Sequence, residues 1–201
     1  MNVIIVSHPD RVEYVRRLQA VLPVVATVVD TISAWSGHRA ALRLATAHRE
    51  RVAIMEDDAI PVRDFARLAS MWGEARPDEL LSFYLGTGRP PSFQPMIQQR
   101  LAHAQAEGDA EIRLPTLIHG VCYSIPAGRV RDVSAGMDAM ARHVREADYA
   151  IGAAWGAHVC YPIESLVQHR DETPVERHFD GQRRVEKRVA RQLAGPLMFE
   201  P

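Results

Sequence analysis

A chain of 201 residues, 47% hydrophobic and 24% charged, is long enough to bury a core and matches one globular domain, or one domain with a tail. Its 24 lysines and arginines nearly cancel its 25 aspartates and glutamates, leaving a net charge of −1, so attraction to a polyanion would have to come from a local patch. No stretch is long enough to span a bilayer, and the opening apolar run is too short for a signal peptide and lacks its basic lead-in, so the expected place of work is the cytoplasm of a cell or host.

Residues 3–6 are short, β-branched and apolar, which predicts a buried strand. Ser7-His8-Pro9-Asp10 then signals a helix start, with Ser7 as candidate N-cap and Pro9 in the first turn. Val12, Val15, Leu18 and Leu22 follow at helical spacing, with Arg16 and Arg17 on the other face, and Pro23 ends the helix. Residues 24–29 predict a second buried strand, ending at Asp30. This β-α-β opening predicts an α/β fold on a mostly parallel central sheet flanked by helices. A helix over 36–51 is expected next, then a third apolar strand over 52–55 that runs straight into Glu56-Asp57-Asp58. Pro61 breaks the chain, 63–71 reads as helix, and 81–85 reads as a strand closed by Gly86-Thr87-Gly88. Arg89-Pro90-Pro91 and Pro95 argue for a loop before a helix near 96–107. Strands are expected at 117–125, 157–161 and 165–167, and a helix at 130–144. The two cysteines, Cys122 and Cys160, fall in these apolar strands without zinc spacing and read as buried, reduced thiols.

From 176 onward the chain is rich in basic residues, among them Arg177, Arg183, Arg184, Lys187, Arg188 and Arg191. Val185, Val189 and Leu193 recur every four residues, which predicts an amphipathic helix with a basic face. The expected division is therefore an α/β domain over 1–175 and a basic helical tail over 176–201. The tail reads either as a solvated helix packed on the domain or as a patch for an anionic partner such as nucleic acid, a lipid surface or lipopolysaccharide. It has no interleaved aromatics of the kind that grip single strands.

Three adjacent carboxylates after a buried strand repel one another and raise each other's pKa. Full solvation offsets that cost, and so does a bound cation. In open α/β sheets ligands sit at the carboxyl ends of strands, where this run falls, and adjacent carboxylates there suit a hard divalent ion such as Mg²⁺ or Mn²⁺. An exposed acidic turn is the alternative. No Gly-x-x-x-x-Gly-Lys phosphate loop is present, which weighs against a phosphotransferase; a nuclease and an inactive binding module remain as other readings.

Residues 52–59, Val-Ala-Ile-Met-Glu-Asp-Asp-Ala, resemble the metal-binding acidic motif of GT-A glycosyltransferases, in the "L-E-D-D" form of the lipopolysaccharide and collagen glycosyltransferase family. Gly37-His38-Arg39-Ala40-Ala41-Leu42 is similar to that family's "G-C-x-x-S-H" helix start, without its cysteine and serine. His119-Gly120-Val121-Cys122-Tyr123-Ser124-Ile125 resembles its "G-x-x-x-Y-x-I/L" strand. Residues 162–169, Pro-Ile-Glu-Ser-Leu-Val-Gln-His, resemble the "P-x-x-S-x-x-x-H" segment that closes many GT-A sites. These pieces occur in the family's order up to about Arg170.

The resemblance implies a GT-A-like (Rossmann-like) fold and a metal-dependent transferase that takes a sugar from a nucleotide-sugar donor. It implies Asp58 as the direct metal ligand, Asp57 as a second or water-mediated one, His169 as the third, and Glu56 behind them or on the ribose. Mn²⁺ or Mg²⁺ would neutralise the departing diphosphate. Ser7, His8, Arg11 and Asp30, at the ends of the first two strands, are the implied nucleoside contacts, and Arg39 could reach the diphosphate. Gly86-Thr87-Gly88, with donor contacts at Gly86 and Thr87, reads as a plain turn or as glycines that let backbone approach a sugar or phosphate. Asp148 is the candidate base toward an acceptor hydroxyl, or an acceptor-orienting group, or a helix N-cap. Trp155, flanked by Gly152 and Gly156, could stack on a sugar or base, whereas Trp72 reads as core. The implied acceptor is a glycan or a nucleic acid, since small transferases of this kind include ones that glycosylate modified bases in phage DNA.

Overall fold

The computed structural model describes residues 1–140, 146–171 and 186–200. In chain order its elements are β1 (Asn2–Ser7), α1 (Val12–Val21), β2 (Val24–Val29), α2 (Ala34–Ala45), β3 (Val52–Glu56), β4 (Ala59–Pro61), α3 (Phe65–Ala75), β5 (Leu81–Ser82), α4 (Gln94–Glu107), β6 (Glu111–Leu114), β7 (Cys122–Ser124), α5 (Val130–Met140), α6 (Ala147–Trp155), β8 (Val159–Pro162) and β9 (Val167–His169). Seven strands form one sheet in the order β2-β1-β3-β7-β5-β8-β6, and β4 with β9 forms a separate two-stranded ribbon. The sheet is mixed. The pairs β1·β2, β1·β3 and β5·β8 are parallel, while β7 is antiparallel to both β3 and β5, and β6 is antiparallel to β8.

Alternation along the central strands divides the core in two. Ile4, Val6, Val52 and Ile54 point to one face, where α2, α4, α5 and α6 bring Leu42, Ile97, Met137 and Ile151. Val3, Ile5, Ala53 and Met55 point to the other, against Val15 and Leu18 of α1 and Phe65 of α3. Burial of each large aliphatic side chain contributes about 1.5–3 kcal/mol, so β1 and β3, apolar on both faces, contribute to both halves of the core. β2 departs from the expectation of a buried strand: it is the sheet edge, and Val25 and Val29 are 44% and 59% exposed.

Other expectations shift at their ends. The helix expected to reach residue 51 stops at Ala45, and the strand expected over 117–125 keeps only 122–124. Two short strands, β4 and β6, and helix α6 carry patterns too brief for periodicity to expose. The C-terminal expectation is corrected where it can be checked. Residues 186–200 contain no helix and run as an irregular strap of bends and isolated bridges. Isolated bridges join Ala190 to Gly86, Leu193 to Ser165 and Leu197 to Val62. Leu193, Leu197, Met198 and Phe199 pack on the second core cluster. The recurrence at Val189 and Leu193 reflects contact with the body of the fold; Arg177, Arg183, Arg184 and Val185 lie outside the described residues.

Candidate functional site

Parallel pairing fixes which residues meet at one edge of the sheet. Ser7 lies opposite Val29, and Val6 lies opposite Glu56, so the chain leaves β1, β2 and β3 side by side with Asp30 and the acidic run at the carboxyl edge. β7, running the other way, begins at that same edge, directly after His119-Gly120-Val121. The ribbon then delivers the last component. Ala59 pairs with His169 across β4 and β9, and the Arg170 N–H donates to the Asp58 carbonyl at 2.9 Å. This registration brings His169 Nε2 to 3.5 Å from Asp58 Oδ2. One ligand atom from each of Glu56, Asp58 and His169 lies within 4.8 Å of the others.

Each acid has a different environment. Glu56 Oε1 accepts from His38 Nε2 at 3.1 Å, and Tyr123 stands 3.1 Å from Nδ1 on the far side of that imidazole. With the carboxylate as acceptor, the imidazole carries a proton on Nε2, facing Glu56. Gly120 makes this possible: a Cβ there would stand 3.1 Å from Glu56 Oε1 and 3.3 Å from His38 Nε2. Burial opposes the charge of Glu56, but the hydrogen bond and charge of His38, with Arg188 and His169, outweigh it and hold its pKa down to about 2.

Asp57 faces away from this group. Its Oδ2 accepts from the His8 N–H at 2.9 Å, and its Oδ1 accepts from Arg11 Nη1 at 2.9 Å. Burial and the charge of Asp58 push its pKa up, against the pull of His8 and Arg11. Arg11 Nη1 also meets Asp58 Oδ2 at 2.5 Å. Burial works against the guanidinium charge, yet Asp58 and Asp57 together raise its pKa. The other Asp58 oxygen, Oδ1, is buried with no hydrogen-bond partner among the described residues. Such an atom costs about 1–3 kcal/mol unless something satisfies it. Glu56, Asp58 and His169 together offer two carboxylates and an imidazole, a donor set suited to a divalent ion, so these residues fit the metal that the acidic run suggests.

Beside the acids lies a group of buried rings. Tyr84 packs edge-on against His119, with centroids 5.0 Å apart, and tilts against His169 at 6.2 Å. Burial, with the charges of Arg188 and His169, drives the His119 pKa down to about 3, so its imidazole is neutral. The strap carries Arg188 into this neighbourhood, where its charge acts on Glu56, Tyr84, His119 and Asp148.

The remaining expected residues divide. His8 lies at the site through its backbone, and its ring caps a 3-10 turn by accepting from the Asp10 N–H at 3.3 Å. The Ser7 hydroxyl donates to the His8 carbonyl at 3.0 Å, so the loop after β1 is built to present His8 and Arg11 to the acids. Asp148 is half-buried in the first turn of α6. Its Oδ1 accepts the Tyr149 N–H at 2.9 Å, and burial, with the nearby Glu56 charge, lifts its pKa to about 6. The cap position itself is Glu146.

Others are occupied structurally. Asp30 accepts from the Ile32 and Ser33 N–H groups at 2.6 and 3.3 Å and shapes the turn into α2. Arg39 pairs with Asp138 on α5 and lies over Trp35. The Thr87 N–H donates to the Val189 carbonyl at 2.9 Å and its hydroxyl to the Lys187 carbonyl at 2.8 Å, so Thr87 holds the strap. Gly86 gives room to Tyr84, whose Oη would stand 2.4 Å from a Cβ there. Trp155 is buried, donates to the His158 carbonyl and carries Arg129 on its face, which leaves it no free stacking surface.

Reading by sequence missed His38, Tyr84 and Arg188. His38 carried a usable signal, a polar residue three and four positions before Ala41 and Leu42 and so on the same helix face, whereas Arg188 was hidden in a basic run whose members look alike. No family model matches this chain, and no curated protein matches it.

Proposed function

We propose that the chain is a metal-dependent glycosyltransferase on a GT-A-like fold, moving a sugar from a nucleotide-sugar donor to an acceptor hydroxyl. The observation that carries this reading is the gathering of Glu56, Asp58 and His169 at the carboxyl edge of the sheet, with Asp58 Oδ1 buried and unsatisfied among the described residues. Asp58 and His169 would hold Mn²⁺ or Mg²⁺, with Glu56 completing the set. When bound, that ion supplies Lewis-acid neutralisation of the charge that builds on a departing diphosphate.

The chain's own groups do the rest. His38 fixes the Glu56 carboxylate from behind, with Tyr123 holding the imidazole in turn. Asp57 anchors the loop after β1 through the His8 N–H and Arg11, and so places the wall against which a nucleoside would lie. Asp148, on a different element and reached by the charges of Glu56 and His38, is the group that takes the acceptor proton. The acceptor is a glycan or a hydroxymethylated DNA base.

A panel of nucleotide sugars with Mn²⁺, read as released nucleoside diphosphate, tests the activity. In a thermal-shift titration UDP or GDP with Mn²⁺ should raise the melting temperature, and Asp58→Asn should abolish most of that rise. Metal-dependent cleavage of DNA without nucleotide protection would replace the transferase with a nuclease. Protection without donor turnover across the panel would leave a binding module.

A further inference from the structure

We propose that the C-terminal strap completes an anion pocket in which Arg188, Tyr84 and His119 receive the diphosphate of the metal-bound donor. The identity of the anion rests on the transferase reading; the pocket rests on geometry. Three polar atoms, Arg188 Nε, Tyr84 Oη and His119 Nε2, are buried with no hydrogen-bond partner among the described residues. Tyr84 is 1% exposed and His119 is 3% exposed, so bulk water does not satisfy them. Native proteins rarely leave such atoms unpaired unless a ligand or ion completes them.

The three are held in place. The Arg188 N–H donates to Asp171 Oδ1 at 3.0 Å, while Thr87 binds the carbonyls of Lys187 and Val189 on either side. The Ala190 N–H donates to Gln168 Oε1 at 2.7 Å, next to His169. These four hydrogen bonds fix the backbone of residues 187–190 against the body of the fold, and with it the point from which the Arg188 side chain starts. Among the described residues no carboxylate lies within ion-pair distance of its guanidinium. A guanidinium N–H and a phenol donate, a neutral imidazole donates from Nε2 when that nitrogen carries its proton, and the ionised Asp58 carboxylate offers only acceptors. Unpartnered donors in the neighbourhood of an unpartnered carboxylate oxygen suit an anion that arrives with a divalent cation, which a metal diphosphate would provide and a lone carboxylate would satisfy only in part.

Calorimetric titration with inorganic pyrophosphate, with and without Mn²⁺, tests the pocket on the full chain. Arg188→Met should weaken pyrophosphate binding about tenfold or more, and Tyr84→Phe, which removes one hydroxyl and keeps the ring, about threefold. Lys187→Met, at the exposed neighbour, should leave affinity unchanged. Mn²⁺ binding alone, followed by electron paramagnetic resonance, should survive both pocket variants, which also shows that they fold. Pyrophosphate binding as tight in Arg188→Met and Tyr84→Phe as in the native chain would overturn the proposal, and so would a native chain that binds Mn²⁺ but no pyrophosphate. Pyrophosphate binding that depends on Arg188, with no turnover of any nucleotide sugar, would uphold the pocket and remove the transferase reading.

Discussion

Arg11 holds the position that a second cation would contest. Its Nη1 meets Asp58 Oδ2, the same oxygen that faces His169 Nε2. Removing the guanidinium leaves two carboxylates facing each other without compensation, which costs stability but frees that oxygen for metal. Arg11→Met should therefore lower the metal-free stability by about 2 kcal/mol and tighten Mn²⁺ binding in the absence of nucleotide by about threefold to tenfold. The loss of the free Mn²⁺ resonance signal on titration checks this; weaker metal uptake in Arg11→Met would make Arg11 a support of the metal site instead. Asp148 gives a second test with a definite sign. Its folded pKa of about 6 lies above its ordinary 3.8, so the folded chain holds this proton more tightly than the unfolded one. The stabilisation is complete below pH 3.8 and is lost as pH rises through about 6. Asp148→Asn, which keeps the acceptor for the Tyr149 N–H, should be more stable than the native chain at pH 8 by on the order of 1 kcal/mol, with the gap closing in acid. As the acceptor base, the native carboxylate should give a rate that rises with pH around a midpoint near 6, and the asparagine variant should lose it.

Among the elements, the ribbon and α6 do the placing. β4 and β9 each span three residues, too few to hold a sheet of their own, yet their register decides that His169 faces Asp58. α6 carries Asp148, and its position depends on close contact at Gly152. A Cβ there would stand 2.0 Å from Thr116 Oγ1 and 2.6 Å from the Leu117 nitrogen, a clash against backbone that no rotamer relieves. Gly152→Ala should push α6 outward, cost about 2 kcal/mol and lower the melting temperature by about 4–8 °C. Gly128→Ala, with nothing within 4 Å of the added carbon, serves as the control and should melt with the native chain. Because Asp148 travels with the helix, turnover should fall further in Gly152→Ala than the loss of stability explains. Differential scanning calorimetry and donor turnover on the same samples separate the two effects.

At the scale of the molecule, local pattern was legible and long-range registration was not. The apolar runs at 3–6 and 52–55 announced the central strands, and the acidic run announced the carboxyl edge, because a buried strand writes its environment into consecutive residues. Nothing local could show that β7 would run against its neighbours, that Tyr84 would need the space at Gly86, or that Arg188 would turn inward, since each depends on a partner distant in sequence. The strap is the largest such case. Its valine and leucine recurrence fits a helix, but isolated bridges to Gly86, Ser165 and Val62 supply backbone partners that a free tail lacks, and the chain is held against the fold instead. A chain ended at residue 175, where composition places a domain boundary, therefore loses Leu193, Leu197, Met198 and Phe199 from the second core cluster. At about 1 kcal/mol for each partly buried side chain, with the bridges lost besides, the deficit is on the order of 5 kcal/mol, comparable to the whole stability of many domains. The truncated chain should bind a hydrophobic dye at 25 °C and lack a cooperative melt, and Leu197→Asn in the full chain should lower the melting temperature in the same direction by a smaller step. A truncated chain that melts cooperatively at the native temperature would instead make residues beyond 175 an appendage, and would take Arg188 out of the site with them.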